Sequence, residues 1–202
     1  MINPQSSRPT LHIDLGAVIA NYEALAEKAA PAKVGASVKA DAYGLGARAV
    51  GRALYKSGCR TFFVAHGKEG KSLRTALPAD AEIYVLSGPT PGGLGRYFEA
   101  DLKPVINSAD QARLWISACN EAKYPPACAL HFDTGINRLG VPTDEMDVFA
   151  VDGDIFPKLN IDLIMSHLAC GSLTDHPMNA QQLAAFQKIA AGFPKNRLSL
   201  AN

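Results

Sequence analysis

The sequence predicts an α/β fold built on a parallel sheet. Three observations support it: short apolar runs recur, each is followed by a polar turn, and each turn leads into apolar residues at helical spacing. The unit repeats at twenty-odd to thirty-odd residues. By periodicity alone, an open doubly wound sheet and a (β/α)8 barrel fit equally well.

Taken in order, residues 11–15 alternate like a short strand. From Ala17 to Ala30, Val18, Tyr22, Leu25 and Ala29 recur at helical spacing. The apolar run 34–38 predicts the next strand and ends at Lys39; Gly44 and Gly46 then turn the chain into a helix from about Ala47. Further strands are predicted at 61–65, 82–86, 103–106, 127–132, 161–165 and 198–201, with helices from about Lys68, Leu94, Ser108, Thr143 and Asn179. Two helices carry start signals, Ser108 with Gln111 and Asn179 with Gln182, each a cap followed three residues later by a side chain that can reach back. Trp115 and Ala118 lie on one face of the first; Leu183, Phe186 and Ile189 on one face of the second. The glycine cluster Gly92, Gly93 and Gly95 follows Pro89 and Pro91, so it reads as a turn rather than a phosphate cradle.

At 202 residues, 48% hydrophobic and 19% charged, the chain suits one sizeable domain with a proper core. A net charge of +1 without a basic block points to neither a nucleic-acid nor a membrane-surface partner. Met1 to Thr10 is polar, unlike a signal peptide or anchor, and no stretch has the roughly twenty apolar residues of a membrane helix. Cys59, Cys119, Cys128 and Cys170 lack metal-ligand spacing and read as free thiols of a reducing cytosol.

The richest stretch chemically is Val38-Lys39-Ala40-Asp41-Ala42-Tyr43-Gly44. A lysine ending an apolar strand loses hydration, which disfavours its charged form, and a neutral amine is a nucleophile suited to an aldehyde cofactor. The bland alternative is a strand-end lysine that snorkels to water. Tyr43 offers a phenol that can donate to a phosphate or act as an acid or base. A second pattern, Ala65-His66-Gly67-Lys68-Glu69-Gly70-Lys71-Ser72, fits a relaxed P-loop after a strand, although Ala stands where its first Gly belongs.

The run from Val38 to Gly44 resembles the pyridoxal-phosphate lysine motif of alanine racemases. The resemblance continues, in family order, through Phe62-Phe63-Val64-Ala65, Asp133-Thr134-Gly135-Ile136-Asn137-Arg138-Leu139-Gly140, Ser166-His167 and Ser199-Leu200-Ala201-Asn202. It implies a (β/α)8 TIM-type barrel, here incomplete at its C-terminal end, with about seven of eight strands and no β-rich second domain in residues 1–202. It implies pyridoxal 5'-phosphate as cofactor, and racemisation of L- and D-alanine for peptidoglycan in a homodimer of the bacterial cytosol. Lys39 would hold the cofactor and act as one of two bases. Tyr43 would contact the phosphate, Arg138 the cofactor's phenolic oxygen and the substrate carboxylate, and His167 would pack on the pyridine ring. Asn202 closes the block that precedes a phosphate-binding serine.

The family's second base, a tyrosine from the partner's second domain, has no match in this chain. Where many relatives carry a carbamylated lysine that braces the arginine, this chain has His131, which leaves His131, Asp133 or a bound anion for that task. Leu45 precedes Gly46 where a histidine often sits in that turn's pattern. The alternatives are a barrel that only binds the cofactor, a fragment that needs a separate C-terminal chain, and, remotely, a P-loop nucleotide binder.

Overall fold

The computed structural model describes residues 10–120, 122, 126–142, 145 and 155–201. Strands β1 (Ala36–Ser37), β2 (Thr61–Val64), β3 (Glu82–Val85), β4 (Lys103–Ile106), β5 (Cys128–Asp133), β7 (Ile161–His167) and β8 (Arg197–Ala201) follow one another in a parallel sheet, and a two-residue β6 (Val141–Pro142) pairs with β5. The helices are α1 (Leu15–Ala29), α2 (Ala47–Lys56), α3 (Gly67–Arg74), α4 (Gly95–Glu99), α5 (Ala109–Asn120), α6 (Ile155–Lys158) and α7 (Pro177–Ala190). This is the predicted strand–helix alternation, curled into an incomplete barrel. The helix expected from Thr143 begins outside the described residues.

Side-chain alternation builds two separate cores, because successive residues of a strand face opposite sides. Phe62, Val64, Ile83, Val85, Ile106, Leu130, Phe132 and Ile164 face the helices, where they meet Leu54, Leu73, Tyr97, Trp115, Phe186 and Ile189. Tyr84, Val105, Ala129, Leu163 and Met165, with Phe63 and Leu86, fill the interior instead. A sheet buried on both faces explains why its strands read as continuous apolar runs.

Below the apolar interior lies a charged floor at the N-terminal strand ends. Arg197 clasps Glu82 with two nitrogens (2.7 and 2.8 Å), and Lys103 bonds both Glu82 (2.6 Å) and Asp162. The Tyr84 hydroxyl donates to Asp162 (2.9 Å) and accepts from Arg197 (2.8 Å). Asp162 is the extra residue of a bulge, since Cys128 pairs with Ile161 and Ala129 with Leu163; the bulge turns its carboxylate inward. β3 and β8 are four strand positions apart. In a flat sheet they would stand about 19 Å apart, so the Arg197–Glu82 contact requires the sheet to curl.

Several local expectations are corrected. Residues 11–14 form no strand: Asp14 caps α1 by accepting from the Ala17 N–H (3.1 Å), and Leu11 and Ile13 are exposed. The cap of α7 is His176, whose Nδ1 accepts from the Met178 N–H, with Pro177 in the first turn; Asn179 lies inside the helix. Its buried face is Gln182, Phe186 and Ile189, while Leu183 is 45% exposed. Ser108 does cap α5 by accepting from the Gln111 N–H, but Gln111 reaches to the Asn107 N–H and Ser87 C=O rather than back to Ser108. Residues 91–93 form a tight 3-10 turn, as the reading of that glycine cluster as a turn expected.

Burial raises the Glu82 carboxyl, but hydrogen bonds and charge from Arg197 and Lys103 outweigh it and hold it at about 2. A carboxylate held below its unfolded value stabilises the fold above about pH 4.5, and that contribution is lost as pH falls toward 2. Glu82→Ala, which leaves the part-buried Lys103 and the half-exposed Arg197 short of a partner, should cost about 2–3 kcal/mol in urea unfolding at pH 7. Lys71→Ala, which removes the exposed pair with Glu99, should leave the urea midpoint essentially unchanged.

Candidate active site

The C-terminal strand ends form the polar mouth of the barrel, which is where barrels of this type place their chemistry. Lys39 stands just beyond β1, Asn107 just beyond β4, His131 on β5 and His167 at the end of β7. Lys39 is partly rather than fully buried, because the regular strand before it is only Ala36–Ser37.

The backbone after Lys39 is unusual. Ala40, Asp41, Ala42 and Tyr43 all have φ between 50° and 56°, so Ala40–Tyr43, directly after Lys39, is a left-handed helical turn without a single glycine. At about 1–2 kcal/mol per non-glycine residue, such a turn persists only where its surroundings enforce it. The Ala42 N–H donates to the Val38 C=O (2.9 Å), the Gly46 N–H to the Asp41 C=O (2.8 Å) and the Ala47 N–H to Asp41 Oδ1 (2.7 Å). Gly44 and Gly46, at φ of 87° and 88°, carry the chain on into α2. Tyr43 is 65% exposed, with its hydroxyl 3.5 Å from Ser37 Oγ and its ring centroid 6.0 Å from Lys39 Nζ.

The remote P-loop alternative finds no support here. Only Ala65 and His66 separate β2 from α3, so most of that pattern is already helix. In place of a phosphate, the Glu69 carboxylate accepts from the Ala65 N–H (2.8 Å) and from the Ala40 N–H (3.1 Å).

His131 is only 6% exposed, and its tautomer is set by its neighbour. The Asn107 amide nitrogen donates to the C=O groups of Leu86 (3.0 Å) and Val105 (2.9 Å), so Asn107 Oδ1 faces His131 Nδ1 at 2.8 Å. Nδ1 must therefore carry the proton, and Nε2 keeps a lone pair. That Nε2 is buried without a partner among the described residues. Asp133 is committed to its own loop, where its Oδ1 accepts from the Gly135 and Asn137 N–H groups. Of those two side chains, His131 is the one whose acceptor is buried and left without a partner among the described residues.

Arg138 lies exposed in the loop after β5. Burial first, then the charges of Arg138 and Lys39, lower the His167 imidazole, so both of those basic side chains lie within electrostatic reach of His167. Sequence reasoning missed Gln182, read as a capping partner. This residue, 1% exposed, accepts from the Ala169 N–H (2.9 Å) and donates to the His167 C=O (2.9 Å) and Thr134 Oγ1 (3.2 Å), tying the end of β7 to the Asp133 loop. A glutamine on the apolar face of α7 was the available signal. Asn202 lies outside the described residues; the preceding Ala201 pairs with His167, and its C=O accepts from the Leu168 N–H (2.8 Å).

Burial above all, then His167 and Arg138, pushes the His131 imidazole down to about 4 against the opposing pull of Asp133. A histidine kept neutral in the fold contributes fully above its unfolded pKa near 6.5, and the contribution falls as pH drops toward 4. Between pH 7 and 5 this should remove roughly 2 kcal/mol of stability. Urea midpoints across that range check it: His131→Gln should flatten the acid-side loss by that amount.

The alanine racemase N-terminal domain model matches residues 13–202. The chain is 45% identical over 193 residues to an alanine racemase of Rhodospirillum rubrum, covering 95% of this chain and 52% of that protein. It is 43% identical over 197 residues to an alanine racemase of Rhizobium meliloti, covering 98% and 52%. Among solved structures, the alanine racemase of Bartonella henselae with covalently bound pyridoxal phosphate superposes with a TM-score of 0.88 at 37% identity, over 94% of this chain and 55% of that one. A histidine racemase of Leuconostoc mesenteroides shares the fold at 19% identity, with a TM-score of 0.80. The chain spans about half the length of the curated relatives it matches. With a model match across nearly its whole length, this chain belongs to the alanine racemase N-terminal domain family.

Proposed function

We propose that this chain is the lysine-bearing, pyridoxal 5'-phosphate-binding half of a bacterial alanine racemase that interconverts L- and D-alanine. The observation that carries the reading is the placement of Lys39, His131 and His167 at the C-terminal strand ends of one barrel, with Arg138 and Lys39 both in electrostatic reach of His167 and with a buried His131 Nε2 that has no partner among the described residues. An anionic cofactor suits this donor set: two basic side chains, Lys39 and Arg138, are present, while Glu69 and Asp133 accept from backbone N–H groups. Lys39 would hold the cofactor covalently, Tyr43 and the segment around Asn202 its phosphate, and His167 its ring. When bound, the cofactor withdraws electrons from an attached amino acid and makes the α-hydrogen acidic.

The chain's own residues then have separable tasks. The Lys39 amine takes or returns a proton at Cα on one face of the substrate. The Arg138 guanidinium, a planar and permanently charged fork, orients the substrate carboxylate. His131, held by Asn107 with Nε2 as a free acceptor, is the group that would brace the arginine from the protein side. Racemisation also requires a proton on the opposite face. By resemblance that comes from a tyrosine of a partner subunit's second domain, which makes the working enzyme a homodimer. D-alanine for peptidoglycan in the cytosol is the physiological product this reading implies. The choice of alanine rests on the relatives at 40–45% identity, since a histidine racemase shares the fold.

Borohydride reduction of the chain after incubation with pyridoxal 5'-phosphate should fix the label on the peptide that contains Lys39, and Lys39→Ala should abolish it. A colourless, unlabelled wild type overturns the reading. In a coupled D-alanine assay the isolated chain should turn over at least about a hundredfold more slowly than a full-length racemase, because one of two acid–base groups is supplied from elsewhere.

A further inference from the structure

We propose that Glu69 is a positioning residue for Lys39, acting through the left-handed turn. Among the described residues, Glu69 is the one side chain from outside that turn to bond its backbone. One carboxylate oxygen accepts from Ala40, the residue directly after the lysine, and the other from Ala65, just beyond β2. The two N–H groups belong to neighbouring strand ends, β1 and β2, which pair in register through Ala36–Phe62 and Ser37–Phe63. Glu69 therefore staples the start of the turn to the sheet at the place where the lysine leaves it.

The simpler role for an acidic residue in the first turn of a helix is to complement that helix's N-terminus. Capping would use N–H groups at or next to the start of α3. It gives no reason for an oxygen to reach Ala40, 29 residues away in sequence. The His66 side chain at the cap position makes no capping bond, and its ring contacts Ser87. A charged acceptor is also what a strained backbone donor needs, because hydrogen bonds to ionised groups are the stronger ones. Without it, four non-glycine residues would be held left-handed mainly by bonds internal to the turn and by Asp41, itself part of it. The lysine's direction of exit from the sheet would then relax.

The functional consequence rests on the reading of Lys39 as the cofactor-binding lysine; the structural one does not, so two measurements are needed on wild type, Glu69→Ala, Glu69→Gln and Leu73→Val. Leu73 is a buried residue of the same helix and controls for a general loss of stability. Amide exchange at Ala40, which needs no cofactor, should speed up about ten- to a hundredfold in Glu69→Ala and less in Glu69→Gln, and stay unchanged in Leu73→Val. Fixation of pyridoxal 5'-phosphate on Lys39 by borohydride should slow at least about tenfold in Glu69→Ala, be partly rescued in Glu69→Gln, and be unaffected in Leu73→Val. Unchanged exchange at Ala40, equal labelling of Glu69→Ala and wild type, or a matching loss in Leu73→Val each overturns the proposal. If wild type itself takes no label, the cofactor reading fails and exchange at Ala40 alone decides the role of Glu69.

Discussion

The clasp of Arg197 on Glu82 is the contact on which the rest of the architecture depends. It joins strands four positions apart in the sheet, so the sheet has to curl until its interior is narrow enough for Phe63, Tyr84, Val105, Ala129, Leu163 and Met165 to fill. Lys103 and Asp162 complete the floor, and each charge faces an opposite one at hydrogen-bonding distance. Part-buried charges are tolerable only in such mutual pairing. The apolar layer above it separates the floor from the mouth, so the two polar ends of one barrel can serve different purposes.

At the mouth the logic reverses. The floor satisfies its charges, whereas the mouth leaves groups open: Lys39 beside Tyr43, an exposed Arg138, and His131 with a lone pair turned away from every described partner. Asn107 and Gln182 spend their hydrogen bonds on holding other residues in place, one fixing the proton on His131 and the other anchoring the strand end that carries His167. The strained turn after Lys39 belongs to the same pattern. Backbone held in a sparsely populated region needs ties, here one from outside, Glu69, besides those made by Asp41 within the turn and by the glycines that follow.

Much of this was legible in the residue pattern, and the errors share a cause. Strands β2 to β5 came out within a residue of their expected bounds, because burial on both faces leaves an apolar signature, whereas β1 is only the two residues Ala36–Ser37 of the expected 34–38 and the two-residue β6 had no signal. Ser108 capped its helix as read, since an N-cap bond spans only three residues. Residues 11–14 alternate without pairing to a neighbour, so periodicity alone misjudged them. Asn179 and Gln182 had the spacing of a reciprocal cap, but Pro177 already starts the helix and Gln182 is drawn into the core by the strand end. The relaxed P-loop pattern, only a remote alternative in the sequence, is mostly helix where a phosphate would need a loop.

What the sequence by itself determined was the alternation of strands and helices and the identity of the chemical groups at the strand ends, because both are written in residue type and short-range spacing. The handedness of the turn after Lys39, the proton on His131 Nδ1 and the curl of the sheet were decided only in three dimensions. Each depends on partners far away in sequence: Glu69 on Ala40, Asn107 on His131, Arg197 on Glu82. A chain pattern records what a side chain can do, and long-range contact selects which of those options is the stable one.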